Sequence, residues 1–378
     1  MPVLEVYLDN SATTKPCPGA RKRLFEAVDT LWGNPSSLHQ RGLEAQLLLE
    51  DARACIAKQL SCGEGEVFFT SGGTESNNIA VFGAAHAMQR KGKKLVVSSV
   101  EHPSVSRAFD RLENEGFSVV RLPVDRFGVV PVEEIENAVD ENTVLVSMMA
   151  VNNELGSVEP IEALSRIVKE KGSPALIHVD AVQAFGKIPL NVKKLGIDLM
   201  SVSAHKIHGI KGAGALFVRD KVHLAPHVFG GGQEKNVRPG TEPLPAIAAF
   251  FGAAEELNVK KSLSAVTQLR NGFVEKLSAL EGVVLNSGEN ALPYIINISL
   301  PGLPSEAVLN FLSARGIYVS SGSACAKGHR SPTLTAAGLE TERVNSSLRL
   351  SLSRFTTEQE LDFCLDGIEQ ALKKIRKK

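Results

Sequence analysis

The sequence is poor in aromatic side chains and carries no excess of charge of either sign. Phe, Trp and Tyr make up 5% of the 378 residues, and 42 basic residues balance 42 acidic ones at a formal net charge of zero. That balance gives no reason to expect nucleic acid or a membrane surface as the main partner. No apolar run approaches the ~18 residues of a membrane span, and the amino-terminal stretch lacks the basic and apolar regions of a signal peptide.

Cysteine is also scarce, and its spacing is irregular. Five cysteines, an odd number, do not suggest a disulfide framework, so we expect free thiols and a cytoplasmic protein. The pair His223 and His227 has the i, i+4 spacing of metal ligands on a helix. Because Pro226 would interrupt that helix and no third ligand is evident, we expect no metal site.

Short apolar runs alternate with helical patterns along most of the chain. Two of these runs, Leu176–Val179 and Leu199–Val202, are bounded in the way that buried strands of a parallel sheet are. The alternation of strands and helices predicts an α/β protein whose sheet is mostly parallel. A length of 378 residues is enough for two domains. We therefore expect a large domain of residues 15–257 and a smaller α/β domain of residues 1–14 and 258–378.

Polar side chains follow both runs, at the edge of the sheet where α/β proteins bind ligands. Asp180 and Gln183 follow the first run, and Ser203, His205 and Lys206 follow the second. A lysine and a carboxylate held there match the needs of pyridoxal 5′-phosphate (PLP), because the lysine forms a Schiff base and the acid keeps the pyridine nitrogen protonated. Taken singly, Asp180 is also explained as a helix N-cap, and Lys206 as a surface lysine.

Two further features lie at predicted strand ends. Ser71-Gly72-Gly73-Thr74 connects a strand to a helix, where backbone N–H groups and the Thr74 hydroxyl would bind an anion. It is neither a P-loop nor a dinucleotide-binding G-x-G-x-x-G motif. His102 follows another strand, where its imidazole would stack on a flat cofactor and move protons; a hydrogen-bonded structural histidine is the alternative. The presence of all these features at strand ends of one sheet favours a shared PLP site over coincidence.

The motifs that surround these residues resemble those of the cysteine desulfurases of the NifS/IscS type, which have the PLP-dependent aspartate-aminotransferase-like fold (fold type I). The matching segments follow one another in order over nearly the whole chain, so together they are more specific than any single motif. They are YLDNSATT, NPSSLH, FTSGGTESNN, EHPSV, VNNELG, HVDAVQ, SVSAHKIHGIKGAG, GGGQEKNVRPGT, VSSGSAC and SLRLSLSRF.

The resemblance implies a role in PLP binding for each candidate residue. Lys206 would be the Schiff-base lysine, and Asp180 would be the partner of the pyridine nitrogen. Gln183 would hydrogen-bond the ring hydroxyl oxygen, and Asn153 would line the site. His102 would stack on the ring and act in proton transfer. The phosphate would be bound by Gly73, Thr74, Ser203 and His205.

The substrate and the quaternary structure follow from the same resemblance. Thr241 would reach the phosphate of the neighbouring subunit, which implies a homodimer with two shared sites. Arg349 would bind the carboxylate of the substrate L-cysteine, a role that suits the bidentate guanidinium group.

The resemblance makes Cys325 the residue that decides the reaction. Its neighbours are small or basic, and Lys327, His329 and Arg330 should favour the nucleophilic thiolate, so we expect its pKa to lie below the free-thiol value. The thiol would take sulfur from L-cysteine, leaving L-alanine and a persulfide on Cys325, and the sulfur would then pass to an acceptor. The other four cysteines are expected to be buried and inert; they are Cys17, Cys55, Cys62 and Cys364.

Other functions share much of this pattern. A selenocysteine lyase has the PLP residues without an essential thiol, a class V aminotransferase needs a keto-acid acceptor, and a silent scaffold on the same fold needs no intact site.

The acceptor of the sulfur stays open between an iron–sulfur cluster scaffold, a tRNA-thiolation enzyme and another sulfur carrier. The 378-residue chain ends 29 residues after Arg349, without the extension that helps the longest family members to dock the scaffold. The long loop around Cys325 resembles the subgroup that transfers sulfur directly.

Overall fold

Strands and helices alternate as the sequence predicts in the computed structural model, which describes residues 5–321 and 330–375. The strands are β1 (Val6–Tyr7), β2 (Val67–Thr70), β3 (Lys94–Ser98), β4 (Ser118–Leu122), β5 (Thr143–Ser147), β6 (Leu176–Asp180), β7 (Leu199–Ser203), β8 (Gly214–Val218), β9 (Val284–Leu285), β10 (Ile295–Ser299), β11 (Ile317–Tyr318) and β12 (Ser347–Ser351). The helices are α1 (Pro18–Asp29), α2 (Gln40–Leu60), α3 (Gly73–Met88), α4 (Pro103–Asn114), α5 (Val132–Ala138), α6 (Ile161–Glu170), α7 (Val192–Leu195), α8 (Leu244–Glu255), α9 (Val259–Ser278), α10 (Ser305–Ser313), α11 (Pro332–Ala336), α12 (Thr341–Asn345) and α13 (Glu358–Lys374).

Seven strands form the central sheet, in the order β2-β8-β7-β6-β5-β3-β4. The pairs from β7 to β4 are parallel, and β8 runs antiparallel to both of its neighbours. The central strands β5 and β7 are buried along their whole length, which is why their sequences are mostly apolar, with only small Ser and Thr side chains besides, rather than alternating apolar and charged. The predicted mostly parallel sheet is therefore confirmed.

A second, antiparallel sheet has the order β12-β10-β9, and β1 pairs with β11. Asp9 also forms a bridge with Ser351 at the end of β12. The amino-terminal residues thus pair with strands from the last third of the chain, in keeping with the predicted assignment of residues 1–14 to the smaller domain. The predicted boundary near residue 258 falls between α8 and α9, where the Asn258 side chain caps α9 by accepting a hydrogen bond from the Lys261 N–H; the boundary itself stays a prediction.

Helices pack on the central sheet; α3 contacts β5, β6, β7 and β8, and α4 contacts β3 and β4. Helix α8 is almost entirely buried and packs against α1 and α2. The last helix, α13, begins at a capping box in which the Thr357 and Glu360 side chains each accept a hydrogen bond from the other residue's backbone N–H. Among the described residues, no helix is both long enough and apolar enough to cross a membrane.

Candidate active site

The residues singled out in the sequence meet at the carboxyl edge of the central sheet. Asp180 is the last residue of β6, and Ser203 is the last residue of the neighbouring β7. A short 3₁₀ turn, Ala204–Lys206, follows directly and places Lys206 beside them. His102 stands at the start of α4, after β3. Because parallel strands end at the same edge, the topology brings these four side chains together.

Asp180 is buried, and both of its carboxylate oxygens are held. Its Oδ2 accepts a hydrogen bond of 2.7 Å from Asn77 Nδ2, and its Oδ1 accepts one of 2.9 Å from the Val182 N–H. Burial raises the pKa of Asp180, while the two hydrogen bonds oppose that shift. A carboxylate in this setting is stabilised by a cationic partner at close range, as a protonated pyridine nitrogen would be.

The His102 ring is fixed as a neutral imidazole. Its Nδ1 accepts a hydrogen bond of 3.2 Å from the Ser104 N–H, so the residue caps α4 and its ring proton lies on Nε2. Although part of the residue is exposed, loss of hydration around the ring lowers the pKa of His102; the charge of Asp180 opposes that shift, and the charge of Lys206 adds to it. The Ser104 hydroxyl connects this ring to Asn77 Nδ2, 2.8 Å away, and so to the partner of Asp180.

Lys206 and Gln183 share a hydrogen-bond acceptor. Lys206 Nζ donates to the carbonyls of Ser11 and Ala12, at 2.5 and 2.8 Å, and Gln183 Nε2 donates to the Ser11 carbonyl at 2.9 Å. The Gln183 Oε1 accepts a hydrogen bond of 2.8 Å from the buried Lys187 Nζ. The amino-terminal chain thus supplies the acceptors that hold two of the predicted cofactor residues.

We call residues 9–15 the amino-terminal segment, since it lies across the whole site. The Thr14 hydroxyl donates to the His205 carbonyl and accepts from the His208 N–H, both at 2.8 Å. His205 Nδ1 lies 3.2 Å from the Thr13 hydroxyl, and burial lowers the pKa of His205 to about 4, so its ring is neutral near pH 7. The sequence does not mark this segment as part of the site, because backbone carbonyl groups leave no mark in side-chain patterns.

The opposite end of the site has unsatisfied hydrogen-bond donors suited to a phosphate. The Ser203 hydroxyl is buried and has no partner among the described residues. The loop after β2 passes close by: Gly72 has a φ of 151°, and a Cβ on Gly73 would lie 2.6 Å from Val182 Cγ2. Helix α3 starts at Gly73, so its first N–H groups lack partners within the helix. Glycine-lined space, orphan N–H groups and a buried hydroxyl fit a bound phosphate.

Arg349 occupies the other side of the site, on β12. Its Nη2 donates to Asp9 Oδ1 at 2.8 Å and its Nη1 donates to the Asn153 carbonyl at 3.0 Å, while its Nε is buried without a partner among the described residues. Asn153 itself is held in a turn in which the neighbouring Asn152 Oδ1 accepts hydrogen bonds from the Glu154 and Leu155 N–H groups. The guanidinium group is thereby fixed, with hydrogen-bonding capacity left for a carboxylate.

Cys325 lies outside the described residues, but both flanks of its segment are described. On one side, the Ser320 backbone exchanges hydrogen bonds of 2.7 and 3.1 Å with the Arg349 backbone. On the other side, the Ser331 hydroxyl donates to Glu154 Oε2 at 2.6 Å and caps α11. Both attachment points therefore lie next to Arg349 or to Asn153.

The remaining cysteines are free thiols; Cys17 and Cys364 are buried as predicted, whereas Cys55 and Cys62 are only half-buried. Loss of hydration raises the pKa values of these thiols. The pKa of Cys55 is raised to about 11, and those of Cys62 and Cys364 are raised to about 12. Burial also raises the pKa of Cys17. All four are thus protonated near pH 7, as expected of inert thiols.

Thr241 is exposed and, among the described residues, makes no hydrogen bond to the other predicted site residues. Its loop is nevertheless tied to the start of α3. Arg238 forms a 3.3 Å ion pair with Glu75 in the first turn of α3, and the Gly240 N–H donates to Gln233 Oε1 at 3.0 Å.

Several residues that shape the site were not singled out in the sequence, although Asn77 and Glu101 lie within the motifs FTSGGTESNN and EHPSV. Asn77, Lys187 and Glu101 are buried behind Asp180, Gln183 and His102, and such supporting side chains look like ordinary helix or loop residues in the sequence. Asp9 lies within the motif YLDNSATT, but nothing in the sequence marks it as the partner of Arg349. Within the described ranges, no group of three or more His, Cys, Asp or Glu side chains is arranged to hold a metal ion.

Comparison with known proteins gives one consistent family. The profile of the aminotransferase class V family matches residues 6–363. The cysteine desulfurase IscS of Dictyoglomus turgidum is 41% identical over 98% of this chain and 95% of its own length. A solved NifS-like protein superposes with a TM-score of 0.93 at 37% identity, covering 98% of this chain and all of that one. The structure of SspA in complex with cysteine superposes with a TM-score of 0.83 at 34% identity, covering 93% of this chain and all of that one.

Proposed function

The chain belongs to the class V aminotransferase family and, within it, to the cysteine desulfurases, and from this premise we propose that it converts L-cysteine to L-alanine with PLP and hands the sulfur to an acceptor. The observation that carries the proposal is the constellation at the edge of the sheet. A buried carboxylate, a lysine and an orphan hydroxyl lie at neighbouring strand ends, near the start of α3, and these are the groups that the pyridine nitrogen, aldehyde and phosphate of PLP require.

The cofactor would be held by the side chains that the fold gathers around this space. Lys206 would bind its aldehyde, Asp180 would face its pyridine nitrogen, and Gln183 would donate to its ring oxygen. His102, fixed as a neutral ring, suits stacking on the cofactor. Its phosphate would take the hydrogen bonds of Gly73, Thr74, Ser203 and His205. When bound, PLP would supply an electron sink for the carbon skeleton of the substrate.

Substrate binding would rest on Arg349 and Asn153. The guanidinium group is held in place by Asp9 and by the Asn153 carbonyl, so it is preorganised for a carboxylate and loses little conformational entropy on binding. Lys206, held between two carbonyls, would move the proton of the substrate α-carbon, and the Nε2–H of His102 would donate on the opposite side of the site.

The sulfur would be taken by Cys325. A bond forms between the Cys325 sulfur and the substrate sulfur, while the bond between that sulfur and the substrate β-carbon breaks and its electron pair stays with the carbon skeleton. Protonation of the skeleton gives L-alanine, and the enzyme keeps a persulfide. The flanks of the Cys325 segment at Ser320 and Ser331 support this role, because both are bonded to residues beside the substrate carboxylate site. The acceptor would be an iron–sulfur scaffold or a thiolation enzyme.

We further propose that the protein is a homodimer in which Thr241 contributes to the phosphate site of the partner. Large apolar side chains of α1, α2 and the loops near them are exposed in the single chain, which supports coverage by a second copy. They include Phe25, Trp32, Leu38, Leu47 and Phe229. A cytoplasmic location fits the four free thiols.

The test is a comparison of wild type with Cys325→Ala, using Cys62→Ala as the matched control. The wild type is expected to be yellow with PLP and to form equal amounts of alanine and sulfide from L-cysteine and a thiol reductant. Cys325→Ala should keep the visible absorbance of PLP and lose sulfide production at least about a hundredfold, because the proposed nucleophile is gone. Cys62→Ala should behave as the wild type. Sulfide production that survives in Cys325→Ala would contradict the proposed role, as would a colourless wild-type protein that cannot be loaded with PLP.

A further inference from the structure

Lys187 is a buried lysine that the proposed reaction does not use. It lies one turn beyond Gln183, its exposed fraction is only 6%, and no carboxylate of the described residues forms an ion pair with it. Lys206, Arg349, His205 and His208 are close enough to interact with it electrostatically, and Tyr294 and Arg354 line the same small cavity as Lys187. A lysine buried among cations is costly, which calls for a function that offsets the cost.

The Lys187 amine fixes the orientation of the Gln183 amide. A protonated Lys187 only donates hydrogen bonds, so in that form the 2.8 Å contact requires Gln183 to turn its Oε1 toward Lys187, the orientation in which its Nε2 also donates to the Ser11 carbonyl. The Gln183 Nε2 then faces the site, where one of its N–H groups donates to the Ser11 carbonyl at 2.9 Å. Its second N–H makes no hydrogen bond within residues 5–321 and 330–375 and is left for a ligand. An amide turned the other way would place an oxygen at that position and would repel an anionic oxygen of a ligand.

Lys187 also lies close to Lys206. Both side chains line one small cavity of about 20 Å³, together with Asn10, Tyr294 and Ser353, which is room for about one water molecule. Burial, and then the charges of Lys206 and Arg349, lower the pKa of Lys187 to about 7. A cation at this position would stabilise a negative charge on the ring oxygen that Gln183 faces and would disfavour a proton on the Lys206 nitrogen.

We propose that Lys187 is a positioning residue for PLP, which orients the Gln183 amide toward the ring oxygen of the cofactor and lowers the proton affinity of the Lys206 nitrogen bound to it. This proposal rests on the proposed function, since it assumes that PLP binds at Lys206. In this proposal Lys187 touches neither the cofactor nor the substrate; it acts on the cofactor through the Gln183 amide and through its own positive charge.

The experiment compares Lys187→Met, which removes donor and charge, with Lys187→Gln, which keeps an N–H donor without the charge; Lys193→Met, on the surface, is the matched control. Each purified protein is loaded with PLP, and the visible absorbance of the bound cofactor is titrated with pH in the absence of substrate. The dissociation constant of PLP is measured in parallel by equilibrium dialysis, and thermal unfolding of each PLP-free variant reports whether it folds.

Lys187→Met should bind PLP about tenfold more weakly, since the Gln183 oxygen loses its buried donor. The pH midpoint of its absorbance change should rise by about one unit, since a nearby positive charge is lost. Lys187→Gln should keep nearly the wild-type affinity for PLP and still show the raised pH midpoint. This result would separate the contribution of the hydrogen-bond donor at position 187 from that of its positive charge. Lys193→Met should match the wild type in both.

Unchanged affinity and an unchanged midpoint in a folded Lys187→Met variant would overturn the proposal while leaving PLP binding by the wild type intact. If Lys187→Met does not fold, the midpoint in Lys187→Gln decides: a wild-type value overturns the electrostatic role. Failure of the wild type to bind PLP would instead contradict the proposed function itself.

Discussion

Arg349 shows how much of a residue's role depends on distant parts of the chain. Its guanidinium group is held by the Asp9 carboxylate from the amino-terminal segment and by the Asn153 carbonyl from the loop after β5. A lysine has one nitrogen and cannot reach both partners while also gripping two carboxylate oxygens. The sequence singled out Arg349 through a family motif, whereas the two groups that orient it became visible only when the chain was folded.

Replacement of Arg349 by lysine should therefore weaken substrate binding specifically. We expect the KM for L-cysteine to rise about 10- to 100-fold, because the loss concerns hydrogen bonds between charged groups. The visible absorbance of bound PLP should stay that of the wild type. Steady-state kinetics with and without added PLP measure both quantities. A wild-type KM in Arg349→Lys would contradict the assigned carboxylate site.

The amino-terminal segment is the element whose importance was least evident from the sequence. Strand positions such as β6 and β7 were predicted to within a residue or two, since buried parallel strands have a clear apolar signal. The segment of residues 9–15 has no such signal, because it acts through the Ser11 and Ala12 carbonyls and through backbone contacts of Thr14. Its contacts span most of the chain, and local patterns do not reveal contacts at that separation.

Replacement of Thr14 by valine tests this element with little change of shape. The variant loses the hydroxyl that connects the His205 carbonyl to the His208 N–H. We expect the free energy of unfolding to fall by about 1–3 kcal/mol, as for buried groups left without a partner. PLP binding should weaken as well, since Lys206 adjoins these residues. Denaturant unfolding measures the free energy of unfolding, and PLP titration measures the affinity for the cofactor. If both are unchanged in Thr14→Val, the amino-terminal segment does not organise the site. Thr335→Val, whose hydroxyl bonds only within its own helix, serves as the control.

At the scale of the whole molecule, the fold and the edge of the sheet that carries the site were predictable, and the buried charges were not. Glu101 and Glu159 look like surface residues in the sequence, yet both are buried, and burial raises the pKa of each to about 8. Glu101 accepts hydrogen bonds from the Ser98 hydroxyl and the Met149 N–H, and so joins the ends of β3 and β5 behind the site. Which carboxyl groups become buried depends on packing across the whole sheet.

These carboxyl groups make stability depend on pH in a defined direction. Between the ordinary pKa of 4.5 and the folded value of about 8, the folded protein keeps a proton on Glu101 that the unfolded chain has lost, so this group lowers stability as pH rises through that window. Glu101→Gln keeps the acceptor and cannot ionise. Its unfolding temperature should exceed that of the wild type by about 2–5 °C at pH 8 and by much less at pH 5. Thermal unfolding at both pH values measures this difference. If the unfolding temperature of Glu101→Gln exceeds that of the wild type by the same amount at pH 5 and at pH 8, Glu101 is ionised in the folded protein.

The most direct test of the central claim is where sulfur resides after one turnover. Wild-type protein loaded with PLP is mixed with L-cysteine in the absence of reductant, its free thiols are blocked, and its peptides are analysed by mass spectrometry while alanine is quantified. The account predicts one alanine per active site and a single added sulfur atom on the peptide that contains Cys325. Alanine formation without sulfur on Cys325, or sulfur bound instead at Cys17, Cys55, Cys62 or Cys364, would contradict it.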